Sequence, residues 1–431
     1  MELLTPEDPS YDRARMVWNA MVDRRPRLIA RCSTTDDVVR ALTMARQQGL
    51  EVGVRCGGHG VLGLAVPEDG LMIDLTPMGA VRVDPLQRKA WVEGGALLGE
   101  LDAASQVHGL ATTAGNVSHT GVGGLTLGGG MGWLARQHGL ACDNVSAFFM
   151  VTAYGELVRA SAEENKELFW GLRGGGGNFG IVTEFEFHLH DVGTRSLVAE
   201  YAFPTGEGRR VLRSWCEMNE YAPRQATFTA AIGSDGLLAV GFVWVGDPAH
   251  ADPLQRAFES LGTSERRVRE LSYVDLQRMD DSVEGHHFRR YSKGHYLRAF
   301  PDEAIEVFLE RGGPAEHPPS VGLQAYGGAI ADVPDDDTAF SHRATLFEWG
   351  TSARWSDPAE DAARVSAARD SATALEPFAS GVYVNALTDD GAEGVRRAYS
   401  PEKLARLTAL KNTFDPANVF HLNQNIQPDP R

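Results

Sequence analysis

"ELFWGLRGGGGNFGIVTEFEF", Glu167–Phe187, runs from a helical pattern through four consecutive glycines into an alternating strand. Gly175, Gly177 and Gly180 satisfy the spacing G-x-G-x-x-G, as do Gly58, Gly60 and Gly63 in "VRCGGHGVLGLAV", Val54–Val66. A doubly wound dinucleotide site needs strand, loop and helix in that order, so that the helix N-terminus meets the pyrophosphate. The 167–187 stretch has the reverse order, and 54–66 continues into LAVPEDGLMIDL with no helix. Both matches fail as doubly wound sites. The chemistry of the glycines survives: without Cβ atoms such loops expose several N–H groups that can cradle phosphates. A third glycine-rich stretch covers 115–132. Three loops of this kind point to a large nucleotide cofactor bound in extended form, against the plainer reading of glycines that only make tight turns.

The chain has 431 residues, enough for two domains. Its 47 glycines exceed the roughly 30 that average usage would give, and they gather in the first half. A net charge of −17 with dispersed Lys and Arg argues against a nucleic-acid backbone as partner. No apolar run reaches the ~18 residues of a membrane span, and the charged start MELLTPEDPSYDRARM lacks a signal h-region. A cytoplasmic protein without membrane contact is expected. Cys32, Cys56, Cys142 and Cys216 form no CxxC pair and no disulfide framework. His286, His287 and His295 match no zinc spacing, so no metal is expected.

Helical spacing appears at 33–50, 96–110 and in a short segment ending at His138, with strands at 50–56, 71–76 and 145–153 and a hairpin at 81–95. Past residue 192 the glycines thin. Alternating strands recur at 197–203, 226–233 and 237–245, with helical patterns at 251–261, 301–312 and 357–375. This texture implies an α+β second domain on an antiparallel sheet. The acidic run DVPDDD, 332–337, reads as a solvated turn.

The motifs VRCGGHG (54–60), TGVGGLTLGGGMGWLARQHGLACDNV (120–145), ELFWGLRGGGGNFGIVTEFEF (167–187) and FDPANVFHLNQNIQP (414–428) come in a telling order. Weaker matches are RRYSKGHYL (289–297), YGGAIADVPDDDTAFSHR (326–343) and GVYVN (381–385). Together they resemble FAD-linked oxidases of the vanillyl-alcohol-oxidase and p-cresol-methylhydroxylase type, in the berberine-bridge-enzyme-like branch. The resemblance implies a two-domain α+β fold of the PCMH type. Residues 1–192, completed by 388–431, would bind FAD, and an antiparallel sheet within 193–387 would roof the flavin ring.

By the same resemblance His59, the histidine of R-x-G-G-H, would bond covalently to the 8α-carbon of the flavin. Val117 stands where many relatives carry a second, cysteine attachment, and Leu125 replaces a histidine found near the flavin in doubly bonded members. One bond, through His59 only, is expected, with Cys56 and Cys142 as buried fillers. Further flavin contacts carried over by position are Arg55, Cys56, Gly57, Gly58, Gly60, Gly115, Thr120, Gly121, Gly124, Asn144, Gly177, Val182, Asn423 and Asn425. Thr120 would flank the ring and govern oxygen access. Tyr383 and Asn385 would lie on a strand crossing above the ring and take part in catalysis. His119, Lys293, Tyr296, Gln324 and Tyr326 are candidates for the substrate pocket.

Sugar-oxidising relatives read Y-x-N-Y in that strand, the second tyrosine serving as base, whereas this chain has Ala386. Alcohol oxidation profits from a base on the hydroxyl, but a neutral amine can lose hydride without one. The expectation is an FAD-dependent oxidase of an amine or nitrogen heterocycle, with molecular oxygen as acceptor and hydrogen peroxide as product. Tyr383 is an alternative base. Oxidation of a sugar or polyketide alcohol, and a non-catalytic flavin-loaded binding protein, are the competing readings. The sequence does not settle the oligomeric state.

Overall fold

The computed structural model describes residues 1–233, 236–263, 265–281, 287–311 and 317–430. Its first sheet pairs Glu2–Leu4, Leu28–Arg31, Leu71–Asp74 and Val52–Arg55 in that order, the last three parallel. Both faces of a parallel sheet must be covered, so these strands are almost wholly apolar. Helix Thr35–Gln48 covers one face with Val38, Ala41, Leu42 and Ala45. Its N-cap Thr34 accepts from the Asp37 N–H, and Gly49 ends it in the left-handed region at φ 64°.

The second sheet is antiparallel, in the order Val81–Asp84, Lys89–Glu93, Ile181–His188, Val145–Val151, Leu157–Ser161. Phe148, Phe185 and Phe187 from its strands join Leu168 and Trp170 of helix Lys166–Leu172 in one core. The C-terminal helix Pro401–Phe414 packs Leu407 and Leu410 into the same core. The tail after it returns to the third glycine loop. Asn178 donates to the Gln424 carbonyl at 3.3 Å and accepts from the Ile426 N–H at 2.9 Å. Buried Lys411 donates to the carbonyls of Asn178 and Phe420, both at 2.9 Å, and pairs with Asp415 at 2.7 Å.

The third large sheet has seven antiparallel strands, in the order Glu265–Ser272, Arg195–Pro204, Leu237–Val245, Ala226–Ile232, Ser320–Ala325, Phe347–Trp355, Arg289–Leu297. One face carries the helices. Phe228, Phe242, Leu297, Leu323, Phe347 and Trp349 meet Trp215, Phe258, Phe308 and Leu375 in a single core. Side chains alternate along a strand, so Tyr296, Gln324 and Glu348 share the opposite face. They are also neighbours in register, Glu348 lying between Tyr296 and Gln324. Two residues along, the same face carries a row of glycines, Gly294, Gly350 and Gly322. That row puts no side chains beside Glu348.

Four features differ from the sequence reading. GVYVN is not a strand: Tyr383 precedes a single 3-10 turn, Val384–Ala386, and only Gly381 bridges to Tyr296. Strand Glu265–Ser272 went unread because it is an exposed edge with a run of charges and no apolar alternation. Helix Gly208–Glu220 opens on glycine and lacks a side-chain cap, so its start carries no signal. The acidic turn at 335–337 is docked rather than simply solvated. Its carbonyls at Asp336 and Asp337 accept from the Trp170 indole at 2.9 Å and Arg173 at 2.6 Å.

Candidate active site

The glycine loops converge on a cleft of about 360 Å³. Gly57 and Gly121 abut so closely that a Cβ on Gly57 would stand 2.3 Å from the Gly121 nitrogen. Any side chain there would force the two loops apart. Gly58, at φ 68°, makes the turn that sets His59 on the cleft wall. Gly60, Gly124 and Gly177 also line the cleft, and nothing lies within 4 Å of where their Cβ atoms would be. Cys56, Thr120, Val182, Tyr383, Asn385 and Asn423 complete that wall.

His59 is held from three sides. Its Nε2 lies 2.7 Å from His119 Nδ1, its Nδ1 lies 3.3 Å from Thr120 Oγ1, and its ring stacks on Trp18 at 4.8 Å between centroids. The Arg290 guanidinium sits 4.0 Å over Trp18. A Nε2–H donated to His119 leaves Nδ1 unprotonated, the state a nucleophilic nitrogen needs. Trp18 was not legible in the sequence, since its placement rests on a backbone bond from its N–H to the Gly58 carbonyl at 3.0 Å.

Segment 382–387 divides the glycine cleft from a second cavity of about 450 Å³. Tyr383, Asn385 and Leu387 face the cleft, while Val382 and Ala386 face the second cavity. The Tyr383 hydroxyl accepts from the Gly130 N–H and from Asn385 Nδ2, each at 2.9 Å. Burial pushes its phenol well above the usual range. A neutral phenol there can donate its O–H into the cleft.

Glu348 supplies what the sequence reading lacked. Its Oε2 accepts from the Tyr326 hydroxyl at 2.6 Å. Burial pushes the carboxyl up to about 7, the Tyr326 bond opposing that rise. Its Oε1 lies 3.9 Å from the position a Gly294 Cβ would take, and Ala386 Cβ lies 3.6 Å from the same point. The acid and the small residue thus meet across Gly294. The available signal was a lone acid between Phe347 and Trp349, which alternation places opposite the core.

The remaining expected residues scatter. Tyr296 and Tyr326 pack edge-on at 5.3 Å, and Tyr296 lies 6.3 Å from Tyr383, so both form a layer behind the cleft. Gln324 accepts from Asn116 Nδ2 at 3.1 Å. Lys293 is not in the glycine cleft. It lines the second cavity, paired with Asp390 at 2.6 Å and Asp389 at 3.1 Å.

Four carried-over flavin contacts, Arg55, Gly115, Asn144 and Asn425, also lie off the cleft wall. Arg55 is spent on the Ala14 and Met16 carbonyls and on Asp74. Asn144 donates to the His138 and Leu140 carbonyls and meets His190 Nε2 at 2.6 Å. Gly115 packs against Leu98 and Leu125, and its carbonyl accepts from Gln277. The thiols read as fillers: burial pushes Cys56 up to about 11 and Cys142 well above its usual range. His295 is buried, its Nε2 on the Ala372 carbonyl at 3.0 Å. His286 lies outside the described residues. Among the described residues no group of three His, Cys, Asp or Glu could hold a metal. No helix among them is long and apolar enough to cross a membrane.

The cleft fits FAD. Open glycine N–H groups suit a pyrophosphate. In the C-terminal tail the Oδ1 atoms of Asn423 and Asn425 are buried with no partner among the described residues. Residues 26–161 match the family model described as an FAD binding domain, and 382–427 match the one described as berberine and berberine like. The chain is 31% identical over 455 residues to the (R)-6-hydroxynicotine oxidase of Paenarthrobacter nicotinovorans, covering 99% of this chain and 97% of that protein. It is 30% identical over 422 residues to an FAD-linked oxidoreductase of Dictyostelium discoideum, covering 95% and 91%. The crystal structure of 6-hydroxy-D-nicotine oxidase from Arthrobacter nicotinovorans superposes with a TM-score of 0.89 at 28% identity, over 99% of this chain and 98% of that one. The fold and its FAD cleft are therefore those of a known enzyme group, and this chain belongs to the berberine-bridge-enzyme-like family of FAD-linked oxidoreductases.

Proposed function

We propose that the protein oxidises an amine or small nitrogen heterocycle, with FAD attached through His59 alone, dioxygen as acceptor and hydrogen peroxide as product. The observation that carries this reading is Glu348, a buried carboxyl pushed up to about 7, on a sheet face whose neighbouring row, Gly294, Gly350 and Gly322, bears no side chains. A carboxylate there suits a cationic nitrogen. The relative named as a hydroxynicotine oxidase acts on a nitrogen heterocycle, which supports the same class.

FAD, when bound, supplies the hydride acceptor. The other roles fall to the chain. Glu348 Oε1 takes the proton an ammonium must shed before its nitrogen lone pair can assist hydride loss. Tyr326 holds Oε2 and so leaves Oε1 facing Gly294. Neutral Tyr383 donates into the cleft, oriented by Gly130 and Asn385. Thr120 flanks His59, and Val117 brings no thiol, which keeps the attachment single.

Peroxide release against a panel of cyclic and secondary amines, hexoses and glycosylated polyketides tests the reading. Turnover of an amine, rising with pH, is expected. Turnover of a hexose or polyketide with none for any amine would overturn the substrate class. No oxygen consumption with any ligand would favour the binding-protein reading instead.

A further inference from the structure

The loop that carries His119 and Thr120 is gripped from several elements, and one of the gripping side chains, Asp281, is an acid for which flavin and substrate chemistry give no use. Asp281 accepts from the Ser118 N–H through Oδ1 at 2.8 Å and from the Ser118 hydroxyl through Oδ2 at 2.7 Å. Gln277 donates to the Gly115 carbonyl at 3.0 Å, and Gln324 accepts from Asn116 at 3.1 Å. Helix Leu98–Gln106 adds two backbone bonds, from the Gly99 N–H to the Ser118 carbonyl at 2.8 Å and from the Leu98 N–H to the Thr120 carbonyl at 2.9 Å. Of these grips only Asp281 brings a charge. Both of its oxygens engage one residue, which fixes that residue in position and in rotation. The next residue is His119, 2.7 Å from His59 Nε2.

We propose that Asp281 is a positioning residue for covalent flavin attachment, holding Ser118 so that His119 receives the proton of His59. This rests on the reading that His59 is the attachment point. The attachment forms one bond between a His59 ring nitrogen and the flavin 8α-carbon and breaks one C–H bond of that methyl group. It leaves two electrons on the flavin, which dioxygen removes. The His59 proton passes to His119, and the two hydrogens lost, one from the methyl group and one from the imidazole, leave overall as hydrogen peroxide. Without Asp281 the loop keeps its neutral bonds, the one from the Gly99 N–H to the Ser118 carbonyl among them, but loses the two that hold the Ser118 N–H and hydroxyl. A misplacement of about 1 Å is enough to cost roughly 100-fold in rate.

The full chain, expressed without flavin in riboflavin-limited cells, is mixed with FAD, and acid-stable flavin is followed with time across FAD concentrations. The wild type should attach flavin and release one peroxide per flavin. Asp281→Ala should attach 10- to 100-fold more slowly at saturating FAD, with the half-saturating FAD concentration unchanged. Ser118→Ala, which keeps the backbone bond, should fall between the two and serves as the deciding variant if Asp281→Ala does not fold. Wild-type rates in Asp281→Ala or in Ser118→Ala would overturn the proposal, as would a loss confined to FAD affinity. A wild type that never acquires acid-stable flavin would overturn the His59 reading itself, an outcome distinct from equal rates in wild type and variants.

Discussion

Replacing Glu348 by glutamine should stabilise the fold at alkaline pH while slowing the reaction. An ordinary glutamate titrates at 4.5, and burial lifts this one to about 7. The native state therefore holds a proton that the unfolded chain releases between those values, so stability falls as pH rises from 4.5 to 7. A shift of this size corresponds to about 3 kcal/mol at 1.36 kcal/mol per unit. The substituted amide would carry no charge and would still accept from Tyr326. The variant should match the wild type below about pH 4.5 and gain about 3 kcal/mol by about pH 8. Urea unfolding of both proteins from about pH 4 to 9 reads this difference directly. A stability difference that stays constant across the range would refute the assignment of a buried, proton-holding carboxyl. Loss of a general base costs roughly 10²–10⁴ in rate, so reduction of the flavin by substrate should slow by that factor in the same variant, and its pH limb near 7 should vanish.

Tyr383→Phe removes the donor held by Gly130 and Asn385 and should lower the flavin reduction rate about 100-fold with little change in substrate affinity, the mark of a transition-state contact. Stopped-flow reduction at varied substrate separates the two. Ala386→Tyr should crowd the Gly294 position, whose Cβ would lie 3.6 Å from the Ala386 Cβ, and abolish amine turnover while leaving flavin content unchanged. Lys411→Met strands the Asp415 carboxylate, fully buried with its partner, and should cost about 3–5 kcal/mol in denaturant unfolding, loosening the C-terminal tail from the Asn178 loop.

The glycine loops were legible because their requirement is local: a Cβ at Gly57 or Gly121 collides with the neighbouring loop whatever the rest of the chain does. His59 stood out by its place in the R-x-G-G-H motif, which the family resemblance reads as the flavin attachment point. The strands at 197–203 and 237–245 showed in the alternation of Tyr201 and Phe203, and of Val240 and Phe242. Glu348 carried only a faint signal, since its meaning depends on which face Phe347 and Trp349 bury and on Tyr326, 22 residues away. Position within a motif also overreached. Asn144 and Arg55 sit inside matched segments, yet their side chains satisfy buried carbonyls and a carboxylate rather than the cleft. Lys293 shares a strand with Tyr296, but odd and even positions face opposite ways, and Lys293 meets Asp389 and Asp390.

The account turns on a single bond between FAD and His59, and mass spectrometry of the proteolysed holoprotein examines it most directly. One flavin-bearing peptide should appear, spanning His59, with Cys56 and Cys142 unmodified, and His59→Ala should yield none. Flavin released entirely on acid precipitation, or carried by a peptide lacking His59, would contradict it.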